Sequence, residues 1–162
     1  MLDWILIIMA VTMGSGGSMG SGATVDNPAE ASLPSGFTAK PQVPTGKFTT
    51  ATEIKPIMEM TRPNWLALSA QPGNDFLYVT QIWSWRCGLL QMKVSVNGAA
   101  MEVWPLPPCH EETNAPNAIL ESDGLPFRMF GAGEIEQIEV ELLYDDLTTT
   151  SATYTRQDIL MP

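Results

Sequence analysis

Residues 89–104 read LLQMKVSVNGAAMEVW, two runs of strand-forming residues meeting at Asn97-Gly98. Asn-Gly accepts the positive φ angles that a type I′ turn requires at both central positions, so the stretch predicts a β-hairpin. Extending the window to residues 84–110, SWRCGLLQMKVSVNGAAMEVWPLPPCH, adds both cysteines, the only histidine and Trp85. A hairpin brings its own ends together, and Cys87 and Cys109 lie just outside those ends. That proximity suits the short Cα separation a disulfide demands. A Cys87–Cys109 bridge is therefore expected, and the chain-entropy relation puts closure of a loop of roughly 20 residues at about 3 kcal/mol. The stretch reads as scaffold, not as a reactive centre.

Outward from this hairpin the signals are again strands. NWLALSA (64–70), the turn Pro72-Gly73-Asn74-Asp75 and FLYVTQIW (76–83) predict two strands joined by a turn. In IEQIEVELLYDD (135–146), Ile138, Val140, Leu142 and Tyr144 fall on one face, with Glu139, Glu141 and Asp145 on the other. A last strand is expected near 151–155. The one helix signal is TATEIKPIMEMTRPNW (50–65). There Thr50 and Glu53 are spaced as a capping box, Pro56 fits a first turn, and Ile54, Ile57 and Met58 share a face. Pro63 ends it, giving a helix over about 53–61. Six strands with short connections and one short N-terminal helix predict an all-β domain over 50–162, an antiparallel β-sandwich or small barrel. Residues 105–133 do not fit. They hold Pro105, Pro107, Pro108, Pro116 and Pro126 with little periodicity, and connections of that length are functional or wrap the surface.

Upstream, residues 24–49 read as a linker, with Pro28, Pro34, Pro41 and Pro44 separated by Gly36 and Gly46. Residues 4–13 form an apolar run too short to cross a bilayer but of the length of a signal-peptide core. Small residues Ser21-Gly22-Ala23 place cleavage after Ala23, although no Lys or Arg precedes the run and Asp3 does. A weak membrane anchor over 4–25, with Gly16 and Gly20 as a helix-packing face, is the alternative. The expected organisation is thus an export signal or weak anchor (1–23), a linker (24–49) and the β-domain (50–162). The periplasm or the exterior is the expected location, with membrane attachment only if the first segment is retained.

The 162-residue chain carries 18 acidic residues against 8 basic ones, a net charge of −10, spread along its length. Such a surface is repelled by phosphates and lacks the basic stripe that nucleic-acid or anionic-lipid binding needs. At 44% hydrophobic residues a real core can form. Catalytic signatures are weak. Cys109-His110 are neighbours whose side chains point apart in extended chain, and a bridged cysteine cannot attack. HEETN (110–114) has Asn114 where a zinc helix needs its second histidine, and its proline-rich setting is not helical. Neither a metal nor a cofactor is expected. Trp83, Trp85, Arg86, Trp104 and His110 are the candidate ligand-binding residues. Indoles beside a guanidinium form a stacking platform for a sugar or peptide, unless the tryptophans pack over the disulfide as core.

The segments EIKPIMEMTRPNW, SWRCGL, VNGAAMEVWPLPPC, APNAI and YDDLTTTSATYTR resemble a group of small exported alphaproteobacterial proteins of unassigned function. The resemblance covers about 53–162 and implies export and a single β-domain, with no activity attached. The resulting expectation is a non-enzymatic exported domain for protein–protein contact, an accessory subunit of an envelope complex. The Pro/Gly linker and the ten methionines fit that use. The alternative is a small-ligand module of sugar type built on the Trp/Arg cluster.

Overall fold

The computed structural model describes residues 36–162. The apolar run, the cleavage position after Ala23 and the first part of the linker, 24–35, lie outside them. The hairpin forms as its sequence dictates, with β3 (Leu89–Val96) and β4 (Glu102–Trp104) antiparallel and φ positive at Asn97 (53°) and Gly98 (75°). Pairing Val94 with Glu102 puts one extra residue into the returning arm, a bulge beside the turn. Asn97 also fixes the turn to the chain before the next strand. Its side chain donates to the Glu134 carbonyl and accepts from the Glu136 and Gln137 amides.

Two antiparallel sheets result. One runs β1 (Ala67–Gln71), β2 (Asn74–Tyr78), β5 (Phe127–Gly131), and the other β4, β3, β6 (Gln137–Tyr144), β7 (Thr149–Thr155). The fold is all-β in a sandwich-like arrangement, with seven strands against the six expected. Leu68 and Leu77 of the first sheet share one buried cluster with Met92, Val94, Ile138, Val140 and Leu142 of the second. At roughly 1.5–3 kcal/mol for each fully buried large aliphatic side chain, this cluster is the main stabilising element.

Helix α1 (Ala51–Met60) adds Ala51, Ile54 and Met58 to that cluster. Its capping box is present, with Glu53 accepting from the Thr50 amide and Thr50 from that of Glu53. The helix begins two residues earlier than expected, so Pro56 sits inside it and not in its first turn. Pro63 falls in a separate 3-10 turn, Arg62–Asn64. The helix rests on Gly88, where an added Cβ would stand 2.6 Å from Ile54 Cδ1 and 2.9 Å from the Thr50 carbonyl carbon. Only glycine admits so close an approach.

Three sequence expectations differ from the structure. The run 76–83 is not one strand, because β2 ends at Tyr78 and Thr80–Trp83 turns into a short helix, α2. Ile82 and Trp83 are both buried, as one turn of helix packed on the core allows. Asp145, expected on the solvent face, is fully buried, because its Oδ1 accepts from the Ala51 amide at the start of α1 (2.8 Å) and from Gln42 Nε2 (2.9 Å). The described end of the linker is strapped to the domain. The Lys40 amide donates to the Asp145 carbonyl, and Glu53 accepts from the amides of Thr45, Gly46 and Thr49. At the other terminus, α3 (Arg156–Ile159) leads to Leu160, which bridges Leu68 and so covers part of the β1 edge.

Candidate functional site

The cysteines are bonded to each other, Cys87 to Cys109, with Cα atoms 4.9 Å apart. Neither is a thiol, so neither is a nucleophile. Arg86, next to the bridge, is the site residue whose environment departs furthest from a ligand contact. Its side chain is 0% exposed and its donors are fully spent. Nε donates to the carbonyls of Pro107 (3.2 Å) and Pro108 (3.0 Å). Nη1 reaches the carbonyls of Trp83 (3.0 Å) and Asn117 (2.8 Å). Nη2 reaches the Ala118 carbonyl (3.0 Å) and Asp123 Oδ2 (3.4 Å). The Cys87 amide adds a bond to Asn117 Oδ1 (2.9 Å), and Asn117 in turn donates to the Phe48 carbonyl. The long proline-rich segment therefore wraps around a guanidinium, and a carbonyl cage replaces the missing secondary structure.

Burial lowers the Arg86 pKa and Asp123 opposes that effect. Asp123 is held below the usual carboxylate range, chiefly by its hydrogen bond with His110, then by the Leu120 amide. His110 Nε2 lies 2.9 Å from Asp123 Oδ2 and 3.0 Å from Oδ1, and the side chain is 18% exposed. Expected among the ligand-binding residues, His110 is instead the third member of an Arg86–Asp123–His110 chain that ties 109–110 and 120–123 to the turn at 86.

Of the expected tryptophan platform only part assembles. Trp85 packs edge-on against Phe48, with centroids 5.4 Å apart. Trp83 and Trp104 are buried, and both line an open depression of about 280 Å³ with Leu106, Leu125, Phe127 and Arg128. Arg128 was missed in the sequence. Its guanidinium carbon lies 4.3 Å from the Trp104 ring centroid. Register explains the position. Leu77 faces inward and pairs with Arg128, so the arginine leans from the outer strand of one sheet toward the outer strand of the other. Among the described residues no group of three or more His, Cys, Asp and Glu side chains is placed to hold a metal ion.

The two outer sheet faces contrast. Beside the inward Ile138, Val140 and Leu142, the larger sheet turns outward Glu139, Glu141, Ser151 and Thr153, with Lys93 paired to Glu141. The smaller sheet turns outward Phe76, Tyr78, Phe127 and Met129. Phe127 contacts Phe76 and Tyr78 at centroid distances of 5.5 and 5.1 Å. Met129 is 64% exposed, and Leu125, just before the strand, is 68% exposed. No helix among the described residues is long and apolar enough to cross a membrane. Compared with protein-family models, curated proteins and solved structures, the chain has no match.

Proposed function

We propose that this chain is an exported, non-enzymatic β-domain that binds a protein partner, as an accessory subunit of an envelope complex, through the smaller sheet. The observation that carries the reading is the aromatic outer face of β2 and β5 beside a mostly polar face on the other sheet. A contiguous apolar surface on one side alone is what an interface looks like before its partner is added. Strand β5 is the outer strand of its sheet, so its free N–H and C=O groups border that face and suit an added strand. The disulfide favours an oxidising compartment, periplasmic or extracellular. A sugar-type site has less support. It needs an uncovered indole face, whereas Trp83 and Trp104 are buried and Arg86 has no donor to offer.

The test is affinity capture of the tagged full-length chain from native membranes, alongside Met129→Glu. Met129 is exposed, so the charge leaves the core untouched. A stoichiometric partner recovered with the parent and lost with the variant, at an unchanged thermal midpoint, is the expected result. Equal recovery with both proteins, or none with either, overturns the proposal.

A further inference from the structure

The charge arrangement singles out one group. Lys40, Lys55, Arg62, Arg86, Lys93 and Arg156 each pair with a carboxylate. Lys47 is an exposed loop lysine with ordinary solvation. Arg128 is different. It is half-buried over the Trp104 ring, and among the described residues its guanidinium has no hydrogen-bond or ion-pair partner. The neighbouring Asp123 carboxylate is already engaged by His110, Arg86 and the Leu120 amide. A partly desolvated guanidinium with unspent donors lines a depression whose other walls are apolar except for Asp123, a carboxylate whose charge is already met by Arg86 and whose oxygens are bonded to His110 and the Leu120 amide.

We infer that this depression binds a monocarboxylate with an apolar body, held by Arg128 as a forked ion pair, and that it adjoins the partner-binding face only at Phe127 and Leu125. The planar guanidinium presents paired N–H groups that match the two oxygens of one carboxylate. Stacking on Trp104 pre-orients the fork and keeps water from one side of it. Leu106, Leu125, Phe127 and the edge of Trp83 then cover the ligand's hydrocarbon part. A volume of about 280 Å³ holds a group the size of one aromatic amino acid, near the lower end of small-molecule sites. The net charge of −10 works against polyanions such as phosphate esters, whose second charge has no counterion here. One charge with an apolar body gains from both Arg128 and the walls. Two sources carry that chemistry, a free small acid and the C-terminal residue of a peptide.

The experiment uses the full-length chain with two matched pairs of probes, phenylacetate against phenylacetamide and acetyl-Ala-Ala-Phe against its C-terminal amide. Binding is read by isothermal titration and by the shift of the Trp104 indole NMR signal. At least one acid should bind at least tenfold more tightly than its amide and weaken as salt rises. Arg128→Gln should lose that preference, and Arg128→Lys should keep part of it. Binding of phenylacetate alone assigns a free acid, and binding of the peptide alone assigns a chain terminus. If Arg128→Gln fails to fold, Leu125→Glu, on the exposed rim, supplies the same reading by repelling the carboxylate. Equal affinity for acids and amides overturns the inference. So does the absence of binding, or an unchanged affinity in a folded variant. Met129→Glu, on the opposite face of β5, should bind the acid as the parent does, which separates this result from the fate of the partner interface.

Discussion

Replacing Arg86 by methionine tests the claim that the proline-rich segment is scaffold. Methionine fills much of the same volume and has no N–H donor. The carbonyls of Trp83, Pro107, Pro108, Asn117 and Ala118 would then lose the guanidinium together. A buried acceptor left without a donor costs about 1–3 kcal/mol. The segment lies at the surface, so water can reach some of these oxygens after modest movement. If two of the five stay dry, the loss is about 2–6 kcal/mol, and we expect about 3–5 kcal/mol. That is a large share of the roughly 5–15 kcal/mol available to a domain of this kind. Arg86→Lys keeps the charge but offers one ammonium where five N–H groups in a fixed fork were used, so it should recover less than half of the loss. Urea unfolding followed by tryptophan fluorescence gives the magnitude. Amide exchange should show protection lost over 107–118 before the sheets open. A methionine variant within about 1 kcal/mol of the parent, with exchange unchanged over 107–118, would refute the cage argument.

The disulfide acts on the same segment. Replacing Cys87 and Cys109 by serine should cost about 2–4 kcal/mol in urea unfolding, and the cost should not add to that of Arg86→Met because both pin one loop. The parent protein, denatured without reductant, should show no titratable thiol. His110→Ala should lower stability near pH 7 and raise the pH at which acid unfolds the domain, the difference from the parent shrinking as pH falls far enough to protonate Asp123 in both proteins. Asp123 has a depressed pKa in the folded state, so its contribution is present above the unfolded value of about 4 and is lost as pH falls through the folded value. Removing the His110 hydrogen bond, the largest cause of that depression, moves the loss to higher pH. Coincident acid-unfolding curves for the two proteins would show that the contact is incidental.

The sequence carried most of the β-architecture because its strands are locally self-consistent. Asn97-Gly98 needs no partner to specify its turn, and 138–142 alternates strictly. What it did not carry depends on distant chain. Strand β5 reads FRMFG, with an arginine and a methionine that blur the period of two. Only register against β2 reveals that Arg128 lies on the inward side and Met129 on the outward side. Asp145 looks like a turn acid until α1, nearly a hundred residues earlier, brings the Ala51 amide to it. Residues 40–49 have no apolar period, and Glu53 and Asp145 order them through backbone amides, which periodicity cannot register.

The two arginines show why the candidate site was legible only in part. Arg86 follows Trp85 and precedes Cys87, whereas Arg128 sits between Phe127 and Met129, so each has aromatic or apolar neighbours in sequence and either could be a ligand contact. Their difference lies in where the donors go. The chain spends every N–H of Arg86 on carbonyls of 83, 107–108 and 117–118 and on one carboxylate. Those carbonyls exist as acceptors only because prolines at 105, 107, 108 and 116 keep the segment out of a sheet ladder. Arg128 lies on an edge strand, and its guanidinium reaches over the Trp104 ring instead of into a loop of carbonyls. An arginine inserted among unladdered carbonyls becomes scaffold. One leaning out from an outer strand over an indole keeps its donors for something that is not yet part of the chain.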